Sequence, residues 1–311
     1  MGIIRGGGAE YEKEAPSLEE KAERLEGIVR EELKKNPAAL DLRGRFIATD
    51  EAAILSRSEL MRPVRSMDLS DNQVGDEALK ILFESPVLEH LEELCLGINF
   101  ITDDGALHLA QSGALRVKSL RVLTLNDNRL SDASISHLAK SPNFGCLETL
   151  SLGWNQVGNG SARAFGESEV LVHLKRLDLE RSYIDDAGLK ELLKARFAPM
   201  LEELNLSSNK LGDEGAKSLA EARNLGQLRV LRLTDNAIGD EGAKALAQAA
   251  PLAGLGELYI GRNYFTGEGA EALRQSKSLS NLRKLILYEG AENTPGRVNY
   301  SNPDLIRPNH S

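Results

Sequence analysis

Five histidines, two cysteines, a single tryptophan and forty-seven acidic side chains are the residues through which this 311-residue chain could do chemistry. His108 and His137 lie 29 residues apart, and two imidazoles brought together can begin a zinc site. No cysteine or carboxylate stands at the matching position between them; the next one there is Glu191. Partly exposed helical histidines account for the pair better than a metal does. Cys95 and Cys146 fall at unlike positions of the pattern described below, so the spacing does not favour a disulfide. A Gly-x-Ser-x-Gly elbow, a phosphate loop and a His-Glu-x-x-His helix are all missing from the sequence. The acidic residues recur at one fixed spacing, which suits structure rather than acid–base catalysis. The sequence therefore predicts no enzyme, no metal and no cofactor.

That fixed spacing is a repeat. The segment from Leu201 to Ala216 returns 27 residues later from Leu228 to Ala243. The second leucine of each Leu-x-Leu pair falls at Leu42, Leu69, Leu96, Leu125, Leu152, Leu179, Leu206, Leu233, Ile260 and Leu287. Every step is 27 residues except the 29 from Leu96 to Leu125. Self-similarity at this period means a solenoid, whose units bury their apolar faces only by stacking. Each unit opens with an alternation that puts Leu204 and Leu206 on one face of a short strand. Three residues on, an asparagine (Asn72, Asn99, Asn128, Asn155, Asn209, Asn236 or Asn263) is placed to bridge backbone groups of successive turns, with Ser182 in its stead once. Seven residues on, a helix begins at Thr49, Asp76, Asp103, Asp132, Asn159, Asp186, Asp213, Asp240 or Gly267, all residue types favoured as helix caps. Small residues such as Gly215 and Gly242 let the first helical turn pack closely, and leucines such as Leu219 and Leu246 point to the core. The expected architecture is α/β, a horseshoe of ten parallel strands inside and nine helices outside.

The chain divides into a flexible start (1–16), a capping helix (17–37), the repeats (38–289) and a polar tail or loose cap (290–311). Ser17 and Glu20 form a capping-box pair, and Leu18, Ala22, Leu25, Ile28, Val29 and Leu33 give an apolar stripe suited to covering the first strand. Net charge is −9 with a pI near 5.3, which argues against nucleic acid as partner. No apolar stretch spans a bilayer, the start lacks a secretory core, and Gly6 breaks a myristoylation pattern at Gly2. The expectation is a cytoplasmic monomer, without membrane or nucleic-acid partners.

The phrase Leu-x-x-Leu-x-Leu-x-x-Asn-x-Leu-Gly-Asp-x-Gly-Ala, cleanest over 201–220 and 228–247, resembles the leucine-rich repeat superfamily in its ribonuclease-inhibitor-like class. The resemblance covers about residues 38–289. It implies a binding scaffold that holds a protein on its concave face, and the Gly-Asp-Glu-Gly-Ala phrasing is more like bacterial members. Alternatives it leaves open are a regulator of a small GTPase and a secreted bacterial effector acting by protein binding. Candidate partner-binding residues follow from position. Arg232, Tyr259 and Tyr288 face the concave side. Two residues past the core leucine, on the rim where the strand leaves, stand Ile98, Trp154, Arg181 and Arg262; two further on stand Phe100, Tyr183 and Tyr264. Tryptophan, tyrosine and arginine are the types that dominate interface energetics.

Overall fold

The structure, a computed structural model, describes residues 16–287 apart from Ser112 and Ala114. The expected flexible start, the tail and Tyr288 lie outside the described residues. Within them, ten three-residue strands pair in chain order as one parallel sheet. They are β1 (Ala39–Asp41), β2 (Ser66–Asp68), β3 (Glu93–Cys95), β4 (Val122–Thr124), β5 (Thr149–Ser151), β6 (Arg176–Asp178), β7 (Glu203–Asn205), β8 (Val230–Arg232), β9 (Glu257–Tyr259) and β10 (Lys284–Ile286). Register never slips: Leu94 opposes Leu123 across the 29-residue step just as Leu204 opposes Leu231 across a 27-residue one. The middle residue of each strand is buried and its two neighbours face outward.

Helix α1 (Leu18–Lys35) precedes the sheet. It is followed by α2 (Thr49–Leu55), α3 (Asp76–Phe83), α4 (Asp103–Gln111), α5 (Asp132–Leu138), α6 (Asn159–Glu167), α7 (Asp186–Leu192), α8 (Asp213–Glu221), α9 (Asp240–Ala247) and α10 (Gly267–Arg274). Strands pack about 4.8 Å apart and helices about 8–10 Å apart, so a stack joining the two bends with the sheet inside. The core is one continuous cluster from Leu25 to Leu287, leucine-rich and with Phe83–Phe144 and Phe165–Phe197 edge contacts between turns. Helix α1 starts with the expected capping box, Ser17 Oγ accepting from Glu20 N and Glu20 Oε2 from Ser17 N. It packs Leu25 and Val29 inward, while Leu18, at its first residue, stays exposed.

Two side-chain ladders tie the turns together. Each asparagine reaches back to the preceding turn. Asn72 Nδ2 donates to Leu42 O (3.0 Å) and Leu69 O (2.9 Å), while its Oδ1 accepts from Arg45 N and Ile47 N. Asn236 repeats the pattern on Leu206 O, Leu233 O and Leu211 N. Ser182 stays within its own turn, donating to Glu180 O (3.4 Å).

The acidic residues run the other way, and here the expectation needs correcting. Asp76, Asp132 and Asp213 are the first residues of their helices rather than caps. Their carboxylates reach forward to the start of the next helix. Asp213 Oδ1 accepts from Gly239 N (2.7 Å) and Gly242 N (2.9 Å), and Asp240 Oδ1 accepts from Thr266 N and Gly269 N (both 2.8 Å). The donors are the orphan amides of the next first turn, and a negative charge is favoured there. The approach leaves no room for a side chain on the receiving glycine: a Cβ on Gly242 would stand 2.6 Å from Asp213 Oδ1. Where serine replaces glycine it joins the bond, as Ser161 Oγ does to Asp132 Oδ1 (2.6 Å).

Two predictions follow from these ladders. Gly242→Ala should lower stability by about 1–3 kcal/mol through overpacking. Gly27→Ala, in α1 with nothing within 4 Å of its Cβ, should raise it by about 1 kcal/mol. Chemical denaturation of both variants checks the contrast, and equal effects would remove the packing account. Secondly, Asp103 and Asp240 gain bonds that outweigh burial, which alone would raise their pKa, so both sit below the ordinary carboxylate value. A depressed carboxylate stabilises the fold above its unfolded pKa, near 3.9, and that contribution is lost as pH falls through the lower folded value. Melting temperature should therefore fall below about pH 4, and Asp103→Asn should flatten that fall when melts are recorded across pH 2.5–6.

Candidate concave face and strand-exit rim

The rim is built by backbone geometry. Two residues past the core leucine of each of the first nine turns the chain adopts a left-handed conformation: φ is +64° at Gly44, +55° at Asp71, +51° at Asp127, +55° at Ser208 and +59° at Asp235. Glycine and short polar residues tolerate this region; bulky ones rarely enter it. Ile98 (φ +56°), Trp154 (φ +61°), Arg181 (φ +51°) and Arg262 (φ +53°) occupy the same position. For a β-branched residue such as Ile98 this is an outlier, and such a conformation costs of order 1–3 kcal/mol. Turns 1 and 6 lack the asparagine, and in both a second left-handed residue follows, Phe46 (φ +59°) and Tyr183 (φ +51°).

The sequence candidates resolve into separate groups. Trp154 is 48% exposed; its Nε1 donates to Glu180 Oε1 (3.2 Å), and the Arg181 guanidinium lies 4.2 Å from the ring centroid. Beside it Gly153 keeps the floor low, since a Cβ there would meet Glu180 O at 3.1 Å. Phe100 carries Arg129 over its ring (5.1 Å), and Tyr183 carries Lys210 (5.4 Å). In each case the cation holds the same position one turn later. Ile98, 54% exposed, stands beside Phe100 in sequence without such a cation. Tyr264 is 76% exposed at the far turn.

On the concave floor, Tyr259 is sandwiched by Arg232 (4.1 Å) and Lys284 (4.7 Å), and its hydroxyl donates to Glu257 Oε2 (2.6 Å). The hydroxyl also accepts from Lys284 Nζ, a bond that raises the lysine's pKa. Arg262 pairs with Asp235 (3.3 Å) across a hollow of about 230 Å³ that Arg232 and Tyr259 also line. Charged neighbours hold Arg262 and Tyr259 as they do Phe100 and Trp154, but Ile98, Phe100 and Trp154 still leave about half their surface as open apolar area. Cys95 lies half-buried on the floor, where burial pushes its thiol pKa up; Cys95 and Cys146 are both free.

Position alone would have found two features left out of the sequence candidates. Phe46, 72% exposed, holds the Phe100 position in turn 1. Arg129 and Lys210 follow from the one-turn offset. Met200, exposed near a hollow of about 600 Å³ at the opposite edge, with Cys146, His173 and Lys175, carried no signal in the rim register. His108 Nε2 lies 3.0 Å from Glu84 Oε1, so its polar neighbour is a carboxylate rather than His137. No described helix is long and apolar enough to cross a membrane. Among the described residues no three His, Cys, Asp or Glu side chains are grouped to hold a metal.

The family description Leucine Rich repeat matches residues 61–82, 146–166, 170–193, 198–220 and 228–247. A comparison with curated proteins gives no match. Proteins built from such repeats are typically non-enzymatic scaffolds that bind other proteins. With ten strands stacked in one parallel sheet, helices on the other face and leucine-rich repeats in five of its turns, the chain folds as a leucine-rich-repeat solenoid.

Proposed function

We propose that this chain is a non-enzymatic scaffold that holds a protein partner on its strand-exit rim and the adjoining concave floor, in the cytoplasm. The observation that carries this is the occupancy of the left-handed rim position. In five turns it holds glycine, aspartate or serine, which fit the backbone, and in two it holds the arginines Arg181 and Arg262. At Ile98 and Trp154 it holds large side chains that strain the backbone and leave about half their surface in water. Neither residue type suits that backbone conformation, and exposed apolar surface rimmed by polar groups marks interaction sites. Trp154 and Arg181 at the centre are types found at interface hot spots. Scarce cysteines, both free, suit a reducing compartment.

Substitution by asparagine separates the two roles of these residues, because asparagine tolerates the left-handed region. Trp154→Asn and Ile98→Asn should leave stability unchanged or raise it by up to about 1 kcal/mol. Affinity for the partner, recovered by cross-linking in the native cell, should fall about thirtyfold or more, the size of one hot-spot residue. Calorimetric titration with the purified partner reads the result. Affinity within twofold of wild type for both variants, ~0.4 kcal/mol or less, would refute the assignment.

A further inference from the structure

The exposed apolar side chains of the rim are spaced, and the spacing selects a ligand conformation. Phe46 stands in turn 1, Ile98 and Phe100 in turn 3, and Trp154 in turn 5; turns 2 and 4 present Asp71 with Gln73 and Asp127 with Arg129 at the same positions. The parallel ladder continues to this rim. Asp71 N donates to Gly97 O, Ile98 N to Asn126 O, Asp127 N to Gly153 O and Trp154 N to Glu180 O, each at 2.9 Å. The step per turn is therefore that of hydrogen-bonded strands, about 4.8 Å, and apolar teeth recur about every 9.6 Å.

Three regular conformations can be laid across such teeth. A β-strand returns a side chain to one face about every 6.7 Å, so its second residue falls between teeth. An α-helix returns one about every 5.4 Å, which sets alternate apolar residues against Asp71 and Asp127. A polyproline II helix repeats every third residue, about 9.3 Å, and its side chains keep step with all three teeth. It also brings little conformational entropy to lose and is recognised elsewhere by aromatic-lined grooves. Asp71 and Asp127 are exposed and, among the described residues, have no ion-pair partner. They therefore favour cations between the apolar contacts, in keeping with the net charge of −9.

Resting on the rim reading above, we infer that turns 1–5 dock a proline-rich segment in polyproline II conformation, with an apolar residue or proline at every third position and lysine or arginine between. The test is selection of random 12-residue peptides on the wild-type chain, with folded Trp154→Asn as counter-target. Recovered peptides should carry proline, a three-residue apolar period and basic residues. A synthetic representative should quench or shift the fluorescence of the only tryptophan and bind Trp154→Asn at least about tenfold more weakly. Asp127→Lys should remove the preference for basic residues. If the discriminating peptides show a two-residue or heptad period, or no proline, the ligand conformation is wrong while the rim site stands. If no peptide distinguishes wild type from Trp154→Asn, or from Ile98→Ser as the second variant, both inferences fall.

Discussion

Each turn of this protein is completed by its neighbours, and that constraint governs everything else. A 27-residue unit carries loop and helix-start amides that it cannot satisfy alone. Asparagine from the following turn satisfies the loop, as Asn72 does for Arg45 N and Ile47 N. Aspartate from the preceding turn satisfies the helix start, as Asp213 does for Gly239 N and Gly242 N. The two ladders point in opposite directions, so removing a turn would orphan polar groups on both sides of the gap. Buried or half-buried groups left unpaired cost about 1–3 kcal/mol each, which makes the stack cooperative beyond its leucine core.

Two exceptions are closed from within their own turns. Helix α2 has no preceding aspartate, and Glu51 reaches back to Ala48 N (3.1 Å) from within the same turn. Asn159 stands where an aspartate is expected and gives the next turn one bond, to Asp185 N (3.2 Å). Asp185 supplies the rest itself by accepting from Ala187 N and Gly188 N. The outermost turn and the irregular turn are thus closed locally. Nearest-neighbour coupling of this kind is what a solenoid's stability consists of.

Much of this was legible in the sequence, and the illegible part has a common cause. The period located the ten strands and the nine α-helices that follow the first nine of them, and the isolated asparagine among leucines announced a bridging role. In the sequence the aspartates look like caps of their own helices, because cap propensity describes one helix at a time. Their true donors lie 26 to 29 residues ahead, a relation visible only once turns are stacked. The left-handed rim was written in the recurrence of Gly44, Asp71, Asp127, Ser208 and Asp235, types that tolerate positive φ. Once that recurrence is seen, Ile98, Trp154, Arg181 and Arg262 become the residues that violate it. Side-chain partners one turn away, such as Arg129 on Phe100, follow from the same register rather than from chain proximity.

The division of labour between ladder and rim explains why large residues can sit where the backbone resists them. Ladder positions are fixed by polar groups on both sides, so substitutions there propagate to two turns. A rim residue shares the backbone ladder, as Trp154 N does with Glu180 O, but its side chain projects outward and completes no neighbouring loop or helix start. Trp154 shows how such a residue can be both supported and available. Arg181 covers one face of the indole and Glu180 accepts its N–H, yet nearly half its surface stays open. Leaning on the next turn and binding a partner are therefore not competing roles. A ring already held in one orientation has less rotamer freedom to lose on contact, a cost of about 0.5–1.5 kcal/mol for an unsupported side chain. On the proposed reading, the neighbouring turn thus prepares the indole for a ligand that approaches from the open side.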